Sequence, residues 1–158
     1  MDFAALSKQF EWIPFSGQMD RNVTYLFVFN GPVARLVGES DILYIGETKQ
    51  PISNRYKQET QTKNSQGNTQ QTNIRTSFVF NKIGLTNVKC YYMRALTVDL
   101  KEEEWAKFLG ELRTWDKKTF LKLSISAPAH AFQASLEKYL LVRYSAEHLE
   151  VPPMNNRM

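Results

Sequence analysis

Short apolar runs separated by polar turns occupy much of this chain and predict β-strands. The segments 23–30 (VTYLFVFN) and 41–46 (DILYIG) are rich in β-branched and aromatic residues, as buried strands are. The connection between them contains two glycines, so we predict that the two strands pair as a hairpin. Two further runs, 75–81 and 87–98, have the same character and bring the number of predicted strands to four.

Helices are predicted in the segments around these strands. A short helix is expected over 2–10, and Pro51 suits the first turn of another helix that continues to about Thr62. A run of acids suits the first turn of a helix near 99–116. The last helix ends before Pro152 and carries an apolar residue at every fourth position: Phe132, Leu136, Leu140 and Tyr144. The order β-β-α-β-β-α-α predicts an α+β fold with a small, mostly antiparallel sheet flanked by helices.

Length and composition favour one globular domain in a reducing compartment. The 158 residues are enough to bury a sizeable core, and no apolar run approaches the length of a membrane span. The N-terminus shows no signal-peptide pattern. Cys90 is the single cysteine, which fits a cytoplasmic protein without disulfides. With only two histidines beside it, a metal site made of cysteine and histidine is disfavoured.

The charges are segregated along the chain. The net charge is +4, but residues 47–94 carry eight basic and two acidic side chains, whereas 99–116 carry three basic and six acidic ones. This pattern indicates a basic face that suits a polyanionic partner, or simply two solvated surfaces. The polar loop 63–73 (KNSQGNTQQTN) is correspondingly either a linker or a nucleic-acid contact.

Glu137 is the candidate metal ligand. Its neighbours at i−3, i+3 and i+4 in the last helix are apolar: Ala134, Leu140 and Leu141. A carboxylate beside an apolar stripe is costly unless it is paired or binds a cation. The alternative is a carboxylate at the edge of the helix that reaches solvent beside Lys138.

Two tyrosines and an arginine are candidates for phosphate chemistry. Tyr25 and Tyr44 lie on the two strands of the predicted hairpin, so pairing can place them on one face. Arg55 follows one turn into the next helix, and arginine is the best phosphate-binding side chain. The alternative is that the tyrosines pack in the core and that the arginine is a solvated surface group.

Taken in order, these segments resemble the GIY-YIG nucleases. The resemblance rests on VTYLFVFN, LYIGETKQPISNR, SLEKYLLVRY and PPMN, which hold the order and approximate spacing of that family from residue 23 to 156. The YIG motif is intact at 44–46, whereas the first motif reads Val-Thr-Tyr at 23–25. The resemblance implies an N-terminal arm over 1–22 and a nuclease domain over 23–158, with an inserted loop at 63–73 and an inserted helix near 99–116.

The resemblance also implies roles for individual residues. Tyr44 and Arg55 would bind the scissile phosphate beside a turn that Gly46 permits, and Glu137 would hold Mg²⁺, with Mn²⁺ as a substitute. Tyr25 would orient or deprotonate the attacking water, which requires a lowered phenol pKa. Glu59 stands where the family often has tyrosine or histidine. Further substrate-binding residues are expected at Lys49, Lys57, Lys63, Arg75 and Asn155, with Asn156 as an alternative to Asn155.

The expected activity is hydrolysis of DNA phosphodiester bonds. A compact chain that carries its own recognition elements favours a restriction-type endonuclease that cuts double-stranded DNA as a homodimer. Two alternatives remain open at this stage. One is a single-strand-specific, defence or mobile-element nuclease of the same superfamily, and the other is an inactive nucleic-acid-binding module.

Overall fold

The computed structural model of the chain describes residues 1–60, 82–94 and 128–155, and for 128–132 the backbone alone. In these segments four strands form one antiparallel sheet in the order β1-β4-β2-β3. The strands are β1 (Ile13–Pro14), β2 (Val23–Ala34), β3 (Glu39–Thr48) and β4 (Val88–Arg94). The helices are α1 (Phe3–Ser7), α2 (Ile52–Thr60) and α3 (Pro128–His148), and a 3₁₀ turn spans Leu85–Asn87. The predicted α+β class and antiparallel sheet are confirmed.

The predicted hairpin is confirmed, but its strands are longer than the sequence indicates. Pairing continues past the expected connection to Ala34 and Glu39, with a bulge on the way. The pairing of β2 with β4 ends at Phe29, so the last part of β2 has β3 as its only partner among the described strands. A proline is tolerated where a strand has one open side. Pro32 therefore does not end β2, although in the sequence it marks a turn.

Several predicted elements lie outside the described residues. These are the strand over 75–81, the loop over 63–73 and the helix near 99–116. The strand predicted over 87–98 is described as β4, from Val88 to Arg94. Strand β1 was not predicted, because two residues are too short for a periodic pattern.

The sheet separates two layers. On one face α3 packs over a cluster that includes Leu26, Ile45 and Leu140. On the other face α2 packs over a more aromatic cluster that includes Tyr25 and Tyr44. Side chains alternate between the two faces along each strand, so neighbouring residues serve different layers.

The N-terminal segment contributes to the first of these layers. Met1 and Leu6 are buried in the cluster under α3. Residues 1–22 thus share the core of the domain as well as supplying β1. No helix in the described parts of the chain is long and apolar enough to cross a membrane.

Candidate active site

The two predicted catalytic tyrosines meet on the α2 side of the sheet. Tyr25 lies in the central strand β2 and pairs with Gly46 of β3, while Tyr44 precedes that glycine by two residues. Their ring centroids are 5.6 Å apart. Tyr25 is only 1% exposed and Tyr44 is 9% exposed, so Tyr44 is the more accessible of the two phenols.

Gly46 is required for space and not for a turn. It lies within β3, and its φ is not positive, so the expected turn at this position is wrong. A Cβ atom at Gly46 would stand 2.5 Å from a ring carbon of Tyr44 and 2.9 Å from Cζ of Tyr25. Both rings therefore lie directly against the glycine backbone. The missing side chain is what allows the two phenols to come together.

Gly46→Ala is expected to lower the free energy of unfolding by about 2 to 3 kcal/mol, in the upper range for overpacking. The two rings are buried and the clash involves ring atoms, so neither ring can move away from the new methyl group without an energetic cost. Chemical denaturation monitored by tyrosine fluorescence measures the change. Lys89→Ala, at an exposed position of β4, is the control. A Gly46→Ala variant as stable as wild type would show that the rings can move apart.

Helix α2 presents Arg55 to these phenols. Its first turn is held by a hydrogen bond from the Ile52 amide to the Asp20 carbonyl oxygen, at 2.9 Å. Arg55 Nε donates to the Tyr25 hydroxyl at 3.0 Å, and Nη2 forms an ion pair with Glu59 at 2.6 Å. The Arg55 side chain remains 29% exposed. Tyr25 and Glu59 thus fix the orientation of the guanidinium, while part of the Arg55 side chain remains exposed.

Glu59 is a buried carboxylate on α2. It is 4% exposed, and its partner is Arg55 one turn earlier. Its negative charge raises the pKa values of Tyr25 and Tyr44, although burial is the larger cause for both phenols. The residue therefore acts on the site as a buried anion that compensates Arg55.

The lowered phenol pKa expected for Tyr25 is not found. Burial raises the pKa of Tyr25 well above its ordinary value, and the neighbouring Tyr44 adds to this, while the Arg55 charge acts in the opposite direction. A buried phenol of this kind stays protonated at neutral pH. Its oxygen accepts the Arg55 hydrogen bond. This geometry fits a residue that positions the guanidinium better than one that takes a proton from water.

Glu137 approaches the same end of the hairpin from α3. Burial raises its pKa to about 7, and the negative charge of Glu47 adds to the effect. The positive charges of Lys138 and Arg55 lower that pKa again. The Arg55 charge thus has a small effect on Glu137, although α2 and α3 cover opposite faces of the sheet.

We expect the contribution of Glu137 to the free energy of unfolding to fall as pH rises from about 4.5 to about 7. Its folded-state pKa lies above the ordinary value of 4.5, so the folded protein binds this proton more tightly than the unfolded chain does. The shift corresponds to about 3 kcal/mol. Denaturation of wild type and Glu137→Gln across this range should show the variant gaining relative stability with pH. Glu39→Gln, at the exposed start of β3, is the control. A difference independent of pH would contradict the assignment.

Glu47 is a neighbour of the site that the sequence did not single out. It pairs with Thr24 across the hairpin, so both side chains lie on the α3 face of the sheet. One oxygen of its carboxylate, Oε2, is buried and has no hydrogen-bond partner among the described residues. The alternation of side chains along the strand could have indicated this placement, because Glu47 follows Ile45 by two residues and Ile45 belongs to the apolar core.

The donor set fits a hard divalent cation better than a soft one. In the described segments no group of three or more histidine, cysteine or acidic side chains could hold a metal ion. Glu137 and Glu47 nevertheless place two carboxylates close enough to raise the pKa of one of them. Mg²⁺ usually binds through a small number of protein oxygen ligands, with water in the remaining positions.

Asn155 supports the edge of the site. Its side-chain oxygen accepts from the Ile45 amide at 3.0 Å, and its Nδ2 donates to the Ile45 carbonyl oxygen at 2.8 Å. The preceding residue, Met154, makes a further contact with β3, because its amide donates to the Leu43 carbonyl oxygen. Both ends of the Asn155 amide are thus engaged with β3 next to Gly46. This contact fits a structural brace and not a direct phosphate ligand.

The predicted basic contacts are only partly described. Lys49 and Lys57 are exposed at the end of β3 and on α2. Lys63, Arg75 and the alternative Asn156 lie outside the described residues. One further arginine, Arg94, was not singled out among the candidate contacts. Arg94, at the end of β4, donates to Asp20 at 2.9 Å and lies 5.9 Å from the Tyr92 ring centroid.

No protein-family model matches this chain, and no curated protein or solved structure matches it either.

Proposed function

We propose that this protein is a metal-dependent endonuclease of the GIY-YIG type that hydrolyses phosphodiester bonds in DNA. One observation carries the proposal. A partly exposed arginine is oriented by the buried phenol of Tyr25, next to a second phenol and within electrostatic reach of Glu137. Three of these groups come from the consecutive elements β2, β3 and α2, and Glu137 comes from α3, which is distant in sequence. Nucleic-acid binding alone requires basic charge and has no use for a half-buried carboxylate beside it.

The arginine would bind the scissile phosphate. Nε and Nη2 of Arg55 are directed to Tyr25 and Glu59, and among the described residues Nη1 has a long contact of 3.5 Å with Gln58. We assign the donors of Nη1 to a non-bridging phosphate oxygen, where they stabilise the charge that develops during attack. Tyr44 lies beside this position and is the phenol that can contact the substrate. Tyr25 holds Arg55 in place.

The reaction is the addition of water to one phosphodiester bond. The water oxygen forms a new bond to phosphorus, the bond from phosphorus to the 3′-oxygen breaks, and a proton ends on that leaving oxygen. Glu137 would hold Mg²⁺, with Mn²⁺ as a substitute, and the bound ion would neutralise charge on the phosphate and on the leaving group. The orphaned, buried carboxylate oxygen of Glu47 beside it is consistent with a cation at this place.

We propose double-stranded DNA as the substrate and a restriction-type activity, with two copies of the chain cutting the two strands in a cytoplasmic setting. The support is the basic character of residues 47–94, which include Lys49 and Lys57 on the exposed side of the site. A single-strand-specific nuclease and an inactive binding module are the alternatives. The products of one assay distinguish all three.

The test is incubation of the purified chain with duplex and single-stranded DNA, with and without Mg²⁺, and mapping of the products at nucleotide resolution. We expect discrete Mg²⁺-dependent cuts in the duplex. Cuts in single strands alone would support the single-strand-specific nuclease. DNA binding without cleavage under every metal condition would overturn the proposed nuclease activity.

A further inference from the structure

A small polar cluster lies on the α3 face of the sheet, on the opposite side from the tyrosines. Glu47 faces Thr24 across the hairpin, and the Thr24 hydroxyl donates to the side-chain oxygen of Gln133. Gln133 lies one turn before Glu137 on α3. The backbone register and this hydrogen bond therefore place Glu47 and Glu137 on the same face of the sheet, with Glu137 one helical turn from the Thr24–Gln133 contact.

Among the described residues, neither carboxylate of this cluster forms an ion pair. The ion pairs in the described part of the chain involve other acids, at Glu147, Glu59 and Asp20. Glu47 Oε2 is buried and has no hydrogen-bond partner in that part of the chain. Two acids that share a partly buried site repel each other unless a cation lies between them.

Gln133 carries a second buried polar atom that lacks a hydrogen-bond partner among the described residues. Its side chain is completely buried, with 0% exposure, and its oxygen is engaged by Thr24. Its Nε2 has no hydrogen-bond partner among the described residues. A buried amide donor left unsatisfied costs about 1 to 3 kcal/mol, so such groups normally have a partner. An oxygen atom carried by a bound ion, from water or phosphate, would provide one.

We propose that Glu47 is a second protein ligand of the divalent cation held by Glu137, and that Gln133 Nε2 donates a hydrogen bond to an oxygen bound to that cation. The inference deepens the proposed nuclease function and rests on it for the cation's role, although the site can be tested without DNA. Two carboxylates would hold the cation, one from β3 and one from α3. Water or substrate oxygens would occupy the remaining positions.

The test is direct titration of the protein with Mn²⁺ in the absence of DNA, followed by electron paramagnetic resonance of the free ion. Glu47→Gln and Glu137→Gln are each expected to weaken Mn²⁺ binding by about tenfold or more, since even an outer-shell partner is worth that much. Gln133→Leu, which removes the amide, should cause a smaller loss. Glu39→Gln, at the exposed start of the same strand as Glu47, should bind as wild type does.

Wild-type Mn²⁺ affinity in Glu47→Gln would overturn the proposal. Circular dichroism and the thermal midpoint establish that the variant is folded. If glutamine disrupts the fold, Glu47→Asp keeps the charge and shortens the side chain, and it should still weaken Mn²⁺ binding. Unchanged affinity in that variant would be equally decisive.

A parallel cleavage assay separates this inference from the nuclease proposal. A wild type that binds Mn²⁺ through Glu47 but leaves DNA intact would overturn the nuclease function and support the cation site. A wild type that cuts DNA, together with a Glu47→Gln variant of normal Mn²⁺ affinity, would overturn the role of Glu47 and leave the nuclease function standing.

Discussion

Glu137→Gln is expected to lower the rate of DNA cleavage by at least about 10³-fold while DNA binding is retained. The amide keeps the shape of the side chain but removes the charge that would hold the cation, and metal stabilisation of a phosphoryl transition state is worth several kcal/mol. A 10³-fold loss corresponds to about 4 kcal/mol. Because the carboxylate is costly where it lies, with a pKa raised to about 7, the variant should be at least as stable as wild type near neutral pH.

Single-turnover cleavage and fluorescence anisotropy with labelled duplex measure the two quantities for this variant. Glu39→Gln is the matched control, since it makes the same chemical change at the exposed start of β3. Its cleavage rate should equal that of wild type. A Glu137→Gln variant that retains more than about a tenth of the wild-type rate, a loss of less than about 1.4 kcal/mol, would show that the carboxylate does not hold the catalytic ion.

Arg55→Lys is expected to lower the cleavage rate by about 10²- to 10³-fold, the size typical for one lost transition-state donor. Lysine keeps the positive charge, and it can still pair with Glu59. It cannot donate to Tyr25 and Glu59 and at the same time present a further nitrogen to a phosphate, as the planar guanidinium can. The loss should therefore appear in the rate of the chemical step more than in the affinity for DNA.

The same single-turnover assay, with the protein in excess over the DNA and at several protein concentrations, separates the rate of this step from binding. Arg143→Lys is the control, because Arg143 is an arginine of α3 whose guanidinium contacts Gln9 in the N-terminal segment. It should cleave as wild type does. An Arg55→Lys variant with a normal rate and weakened DNA binding would mean that the guanidinium contributes only charge, and the assignment of Nη1 to the phosphate would then be wrong.

Local patterns in the sequence were sufficient for much of the fold. The apolar runs predicted the β2–β3 hairpin, and the positions of Pro51 and Pro152 placed the start of α2 and the end of α3. Strand alternation also indicated that Tyr25 and Tyr44 share a face, which their 5.6 Å ring separation bears out. These features depend on residues close in sequence, and this is why a single chain was enough to predict them.

Such local patterns could not predict contacts between segments that are distant in sequence. The length of the hairpin beyond Pro32 depends on which strands lie beside β2, and strand β1 exists only because β4 is available to pair with it. The role of Gly46 was misjudged for the same reason. A glycine that is needed for space cannot be distinguished from one that is needed for a turn until the rings that cover it are known.

The sequence by itself determined which residue types are available for the proposed site and the approximate order in which they occur. Tertiary structure alone decided how they are charged and paired. Burial raises the pKa values of Tyr25 and Glu137, and packing directs Glu59 to Arg55 and Glu47 to the α3 face. The free energy of a charge depends on the dielectric environment and the other charges around it. That environment is assembled from several segments of the chain and exists only after folding.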